Sequence, residues 1–179
     1  ERHRAWRGPA VLSFGFRPFF LLGALWAALA MALWVAMLTG KLALPTTFDP
    51  VTWHAHEFLF GYLGAIIAGF LLTAVPNWTG RLPVTGWPLA GLAAAWLAGR
   101  LAVTFAQGLP RLAVAVIDLA LVAALAVLLG RGIGVGRNWR NLPRVGLLVL
   151  FGCANALFHW EAARGGYGGG GGGGGRPAI

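Results

Sequence analysis

The sequence is poor in charged residues and almost free of cysteine. Only 11% of its 179 residues are charged, whereas 58% are hydrophobic and the mean hydropathy is +0.72. Average soluble domains carry roughly a quarter charged residues, so this composition excludes an ordinary water-soluble globule and predicts an integral membrane protein. The single cysteine, Cys153, excludes an intramolecular disulfide, a Cys-x-x-Cys redox pair and a metal site built from cysteines.

Acidic residues are scarce as well, since five Asp and Glu stand against fourteen Lys and Arg, giving a formal charge of +9. The basic residues lie in short blocks between long apolar runs, which is typical of membrane topology and not of a phosphate-binding face. We therefore expect a lipid bilayer as the main partner of the chain, and no nucleic acid.

Five apolar runs are long enough to cross a hydrocarbon core, which takes roughly 17–25 residues of helix. Because none shows the alternation of a barrel strand, the predicted fold is an all-α, polytopic transmembrane helical bundle with about five helices. Residues 18–164 form this bundle, after a basic leader over 1–17. Residues 165–179 form a Gly-rich tail that we expect to be disordered or artificial. The predicted spans are 19–38, 50–75, 87–107, 110–129 and 144–163.

The basic residues divide unevenly between the two sides of the predicted bundle. Nine share the side of the amino terminus: Arg2, Arg4, Arg7, Arg17, Arg81, Arg131, Arg137, Arg140 and Arg144. Four lie on the opposite side: Lys41, Arg111, Arg164 and Arg176. By the positive-inside rule, this division predicts a multi-pass protein whose amino terminus is in the cytoplasm.

The second predicted helix carries two histidines near its outer end. Asp49 followed by Pro50 predicts the start of this helix, with an N-cap and a proline in the first turn. On a regular helix, at about 100° per residue, His54 shares a face with Gly61 and His56 points to the opposite side. A stripe of small residues, which lets a neighbouring helix approach closely, recurs every four residues. It consists of Gly61, Ala65, Gly69 and Thr73.

Two ionisable residues lie within the third and fourth predicted helices. Arg100 and Asp118 are each nine residues from Leu109, near which the chain turns between these helices. An antiparallel hairpin therefore places both at the same depth, about 13 Å from the turn. Because an unpaired charge there is strongly unfavourable, we predict an intramembrane ion pair, with a part in proton movement as the alternative.

Three of the four histidines are predicted to lie at one membrane level. His54 and His56 open the second helix at the outer surface, and His159 closes the fifth beside Trp160, a typical interface anchor. Imidazole is the commonest metal ligand and serves copper and haem iron alike, so all three are candidate metal ligands. Since His54 and His56 diverge too far on a helix to bind one ion, they serve two centres, or one supports the other. Histidines that only satisfy hydrogen bonds are the alternative.

Two further polar residues are candidates to orient these imidazoles. Glu57 follows His56 and lies one turn from His54; a solvated interfacial carboxylate and a copper ligand are its alternative roles. Asn155 shares a predicted helix face with His159, and both are expected to point into the bundle. No catalytic residue is assigned from the sequence.

Five segments of the sequence resemble one known family. They are 14–20 (FGFRPFF), 53–57 (WHAHE), 74–81 (AVPNWTGR), 137–143 (RNWRNLP) and 155–159 (NALFH). Over residues 10–164 the chain is similar to the NnrS family, haem- and copper-containing bacterial inner-membrane proteins linked to denitrification and nitric oxide stress. The resemblance implies a family member about twice as long, with roughly twelve helices, of which this chain is the N-terminal part. The C-terminal helices of that protein would then be partners of this bundle.

The resemblance implies haem and copper as cofactors and nitric oxide as a small-molecule ligand. We expect His54 first, then His56, then His159 as ligands. Lys41, Arg111 and Arg164 are candidate partners of haem propionates. The first predicted function is protection against nitric oxide, with binding and turnover of the gas both left open. Two alternatives are a transporter or assembly factor that handles copper or haem, and a structural membrane subunit without metal.

Overall fold

The computed structural model of the protein describes residues 6–79, 83–135, 140 and 142–164. All regular structure within these residues is helical, which confirms the all-α prediction. A short turn of 3₁₀ helix, Ala10–Leu12, precedes the bundle. The five long helices are α1 (Phe16–Leu38), α2 (Pro50–His56, Glu57–Tyr62 and Leu63–Thr79), α3 (Trp87–Thr104), α4 (Arg111–Val135) and α5 (Leu142–Ala163).

Parts of the topology prediction lie outside the described residues. They are Arg2, Arg4, Arg81, Arg137, Arg176 and the tail over residues 165–179. The remaining basic residues keep their predicted ends, since the helices run alternately up and down. Lys41 follows α1, Arg111 is the first residue of α4, and Arg164 follows α5. These three residues therefore share one end of the bundle.

Among the described residues, four helices are long and apolar enough to cross a membrane, whereas the sequence shows five apolar runs. The exception is α3, whose 18 residues are long enough but less apolar; the chain turns after it near Gly108, which adopts φ +86°. Arg100 and two tryptophans also lower its hydropathy, and much of α3 is buried against its neighbours. The four candidate spans are Phe16–Leu38, Pro50–Pro76, Arg111–Gly134 and Leu142–Ala163.

Small residues bring α1 and α2 into close contact. Ala65 is fully buried, and a Cβ at Gly23 of α1 would lie 3.1 Å from the Ala65 methyl group. One turn further along α2, Gly69 packs on Phe16 and Phe20. The part of the predicted small-residue stripe that starts at Ala65 therefore forms the α1–α2 contact, as its spacing indicates.

The start of α2 follows the predicted capping pattern. The Asp49 side chain accepts hydrogen bonds from the backbone N–H groups of Val51 (3.0 Å) and Thr52 (3.2 Å), and Pro50 occupies the first turn. Partial burial raises the pKa of Asp49, but the hydrogen bonds from Thr52 and Val51 outweigh it, so this pKa lies below its ordinary value. The N-cap thus sets the start of the helical turn that carries His54 and His56.

A π-helical segment, Glu57–Tyr62, interrupts the α-helical geometry of α2. Its wider turn changes the direction of every side chain after Glu57, so the regular-helix prediction that His54 shares a face with Gly61 is wrong. Gly61 faces α3, where its carbonyl accepts a hydrogen bond of 3.0 Å from Trp96 Nε1. His54 faces α1 and stacks on Trp34, with ring centroids 4.1 Å apart.

The loop between α1 and α2 is tied to the turn between α3 and α4. Thr46 Oγ1 donates to the carbonyl of Val103 (2.9 Å), and Gln107 N–H donates to the carbonyl of Pro45 (2.8 Å). These bonds hold Phe48 over the end of the bundle, in contact with rings from α2 and α5.

We expect Gly99→Ala to destabilise the α3–α4 hairpin. A Cβ at Gly99 would lie 3.0 Å from Asp118 Oδ1 and 3.1 Å from Asp118 Cα, and backbone gives way less readily than a side chain. The free energy of unfolding should fall by about 1–3 kcal/mol, measured by thermal unfolding in detergent. Gly91→Ala, on the same helix with nothing within 4 Å, is the matched control. Equal effects of both variants would contradict the close contact.

Candidate metal centre

Arg100 lies at the centre of a buried charge network that joins three helices. Its side chain is 2% exposed, and Nη1 donates to both carboxylate oxygens of Glu57 at 2.9 Å. Nη2 donates to Asp118 Oδ1. The structure thus pairs Arg100 with Asp118, as the hairpin geometry predicts, and adds Glu57 as a partner that the sequence did not indicate. One guanidinium therefore holds α2, α3 and α4 in a fixed register.

Glu57 is the first residue of the π-helical segment and is fully buried. Besides Arg100, it accepts a hydrogen bond of 2.6 Å from Trp26 Nε1 of α1, and its Oε1 lies 3.2 Å from His56 Nδ1. The alternative of a solvated interfacial carboxylate is therefore wrong. The imidazole that Glu57 contacts is that of His56, whereas His54 stacks on Trp34 of α1.

His56, Asp118 and His159 form a compact group of three potential metal ligands from α2, α4 and α5. Asp118 Oδ2 lies 3.2 Å from His56 Nε2 and 3.0 Å from His159 Nε2. One potential ligand atom from each residue lies within 4.8 Å of the others. Two imidazoles and a carboxylate are ligands that copper, zinc and iron accept, so the donor set fits a transition metal.

Asn155 of α5 completes the surroundings of this group. It is buried, its Oδ1 lies 3.1 Å from His56 Nε2, and its Nδ2 donates to Asp118 Oδ2 at 2.8 Å. Glu57 on Nδ1 of His56 leaves Nε2 directed at Asp118, the arrangement by which proteins orient an imidazole toward a metal. The structure therefore places both predicted orienting residues, Glu57 and Asn155, against the same histidine.

His54 does not join the group of His56, Asp118 and His159. Its ring lies nearly parallel to that of Trp34, with 10° between the planes, and its buried Nδ1 has no hydrogen-bond partner among the residues that the structure describes. Two residues separate His54 from His56 on one helical turn, which sends the two rings to different neighbours, as the sequence predicts. The histidines of α2 thus face two different environments.

The three predicted propionate partners lie at the end of the bundle near His159. Arg111 Nη1 donates to the carbonyl of Ala163 (2.6 Å), and it lines a small cavity together with His159. The guanidinium of Arg164 lies 5.1 Å from the ring centre of Trp160. Lys41 is exposed in the loop after α1. None of the three makes a hydrogen bond or an ion pair with His56, Asp118 or His159 within the described part of the chain.

Two wider grooves of the described residues do not fit a haem. One, of about 460 Å³, lies between Phe70 of α2 and Leu147 of α5, and the other, of about 310 Å³, lies between Leu22 of α1 and Leu97 of α3. Neither is lined by a histidine, cysteine, methionine or tyrosine, the residues that ligate haem iron. These grooves therefore provide no haem pocket.

Comparison with known families identifies the family to which this chain belongs. Residues 10–172 match the family model described as NnrS protein. The chain belongs to the NnrS family. No curated protein and no solved structure matches it. With four apolar spanning helices, this NnrS family member is a multi-pass membrane protein, and the resemblance drawn from its motifs is confirmed.

Sequence reasoning missed Asp118 as a potential ligand in this NnrS family protein. We assigned Asp118 only to Arg100, because both lie at the same depth of one hairpin. The missing signal was the depth of His159 on α5, which is close to that of Asp118 and so allows one carboxylate to serve both partners. Trp26 and Phe48 were missed because aromatic residues are common in any membrane helix or loop.

We expect Arg100→Gln to lower the free energy of unfolding by about 3–5 kcal/mol, because two buried carboxylates lose their cation. In a Glu57→Gln background the loss should be smaller, since one of those carboxylates is already gone. Thermal unfolding of the four proteins in detergent gives the coupling energy, and Arg131→Gln is the control at an exposed arginine. Additive effects of the two substitutions would contradict the network.

Proposed function

We propose that this NnrS family member is a copper-binding protein of the bacterial inner membrane that protects against nitric oxide stress during denitrification. The observation that supports a metal is the meeting of His56, Asp118 and His159 around one point. These ligands come from three helices far apart in the sequence. A histidine that only satisfies its hydrogen bonds needs one partner, whereas a metal site needs several ligands around one point.

Charge and hydrogen bonding also favour a cation at this point. The network contains two carboxylates, Glu57 and Asp118, and one guanidinium, Arg100. His56 has carboxylate or amide oxygens beside both ring nitrogens, whereas a neutral imidazole donates through only one of them. A further positive charge balances this arrangement. A metal ion at His56 Nε2 supplies it and leaves Nδ1–H to donate to Glu57.

Copper is the metal we propose because the family resemblance implies it, and imidazole nitrogens suit it. Bound there, it supplies a redox-active centre with an affinity for nitric oxide. The chain's own residues prepare the site: Glu57 orients His56, while Asn155 and Arg100 hold the two oxygens of Asp118. Non-haem iron also accepts two histidines and a carboxylate. Metal analysis distinguishes the two.

The distribution of basic residues supports an inner-membrane orientation with the amino terminus in the cytoplasm. In this orientation the end of the bundle that carries Arg111, Arg164 and His159 faces the periplasm. The proposed copper site then lies less than two turns below the periplasmic end of α5, since His159 is four residues before Ala163. In this orientation, small molecules reach the site from the periplasmic side of the membrane.

The haem of the proposal rests on the family resemblance. His54 is the residue of this chain that would hold such a haem, since it lies outside the proposed copper site and its buried Nδ1 has no hydrogen-bond partner among the described residues. Because the wide grooves hold no haem ligand, the described residues do not form the rest of that pocket.

Burial of the ligands favours a resident metal over a transported one. The side chains of His56 and Asp118 are fully buried and fixed by Glu57, Arg100 and Asn155. A transporter has to release its cargo, which would mean breaking this network in every cycle. A protein that keeps its metal has no such requirement.

We expect the intact protein to bind about one copper ion per chain at this site. His56→Ala and His159→Ala should abolish tight binding, and Glu57→Gln should weaken it by about 10–100-fold because it removes the orienting partner. The measurement is metal content with a chelator competition. His54→Ala, two residues from His56, is the matched control and should keep its copper. Loss of copper from His54→Ala but not from His159→Ala would refute the assignment.

Nitric oxide should alter the visible absorption or electron paramagnetic resonance spectrum of the copper-loaded protein. A deletion strain that receives the wild-type gene should grow under nitric oxide, whereas one that receives the His159→Ala gene should not. Head-space analysis for nitrous oxide separates turnover from binding. A metal-loaded protein without any spectral response to the gas would refute the proposed ligand.

A further inference from the structure

The three proposed ligands differ in one respect, which is their access to the exterior. The side chains of His56 and Asp118 are fully buried, whereas that of His159 is 10% exposed. Of the three side chains, that of His159 is the one in contact with the exterior in the described part of the chain. Access to the site depends on what lies beside this ring.

A small cavity lies there, at the same end of the bundle. Its volume is about 30 Å³, and it is lined by His159 and by residues from the α1–α2 loop, the α3–α4 turn and the first turns of α4. The residues that matter for its shape are Thr47, Phe48, Leu109, Arg111, Val114 and Ala162. A water molecule needs roughly 10–15 Å³ measured in this way, so the cavity holds a few atoms at most.

Phe48 forms the wall between this cavity and the deeper imidazole. Its ring centre lies 5.5 Å from that of His56 and 5.9 Å from that of His159. The bonds of Thr46 and Pro45 to Val103 and Gln107 fix the loop that carries it. The cavity beside His159 is small, and the loop that carries Phe48 is held by these hydrogen bonds, so the Phe48 side of the cavity is fixed.

We propose that this cavity is the entry port of the metal site and admits one neutral or anionic ligand of two or three heavy atoms. The inference rests on the proposed metal site and adds the size and charge of what reaches it. Size follows from the volume and from the fixed ring of Phe48. Charge follows from Arg111, which lines the port and repels cations.

Azide and 4-phenylimidazole test the port on the full-length, copper-loaded protein in detergent. Azide is a small anion with a strong charge-transfer absorption on copper(II), and 4-phenylimidazole binds the same metal but exceeds the cavity. We expect azide to bind and 4-phenylimidazole not to bind. Ala162→Leu should slow azide association by about tenfold, because the larger side chain fills the port. Leu109→Ala, which widens the mouth and touches no ligand, should speed it.

Ala156→Leu is the matched control, since it makes the same change at an exposed position of α5. It should leave the rate of azide association unchanged, and all three variants should keep the copper content of the wild type. Equal azide rates in Ala162→Leu and Ala156→Leu, with copper present, would overturn the port and leave the metal site standing. Binding of 4-phenylimidazole at the rate of azide would do the same. A wild-type protein without copper or iron would overturn the proposed function itself.

Discussion

The guanidinium of Arg100 is the contact on which the rest of the site depends. It is buried in an apolar bundle, where a lone charge is strongly unfavourable, and it lies between Glu57 and Asp118. Each of these three residues belongs to a different helix. Sliding any of the three helices by one turn would leave a carboxylate or the guanidinium without its partner. The register of α2, α3 and α4 is therefore set by electrostatics, in a bundle whose apolar contacts with lipid are similar for every register.

The same constraint shapes the metal group. With one arginine and two carboxylates, the network has an unbalanced negative charge that falls at the only oxygen of Asp118 not taken by Arg100, Oδ2. His56, Asn155 and His159 all converge on this oxygen. A cation bound there completes the balance and replaces contacts that otherwise put acceptors around His56. One carboxylate thus serves both the register of the helices and the group that could hold a metal.

Much of this arrangement could be predicted from the sequence. The number of helices, the capped start of α2 at Asp49 and the Arg100–Asp118 pairing follow from length, capping residues and hairpin arithmetic. Which of the two histidines of α2 groups with His159 could not be predicted. It depends on the direction of each ring, and the π-helical segment after His56 breaks the regular periodicity that the prediction assumed. The predicted helix over 87–107 is present as α3, but Arg100 and two tryptophans lower its hydropathy, so it is not among the four candidate spans.

The π-helical segment divides α2 into two parts whose orientations are set separately. His56, directly before the segment, and Glu57, its first residue, face the charge network, while the part after the segment packs Ala65 and Gly69 on α1. In an uninterrupted α-helix both requirements would have to be met by a single rotation about the helix axis, and a substitution in one half would disturb the other. The widened turn removes this coupling. Lipid-facing residues of Leu63–Thr79 can therefore be substituted to suit the thickness or composition of the bilayer, without a change in the positions of His56 and Glu57.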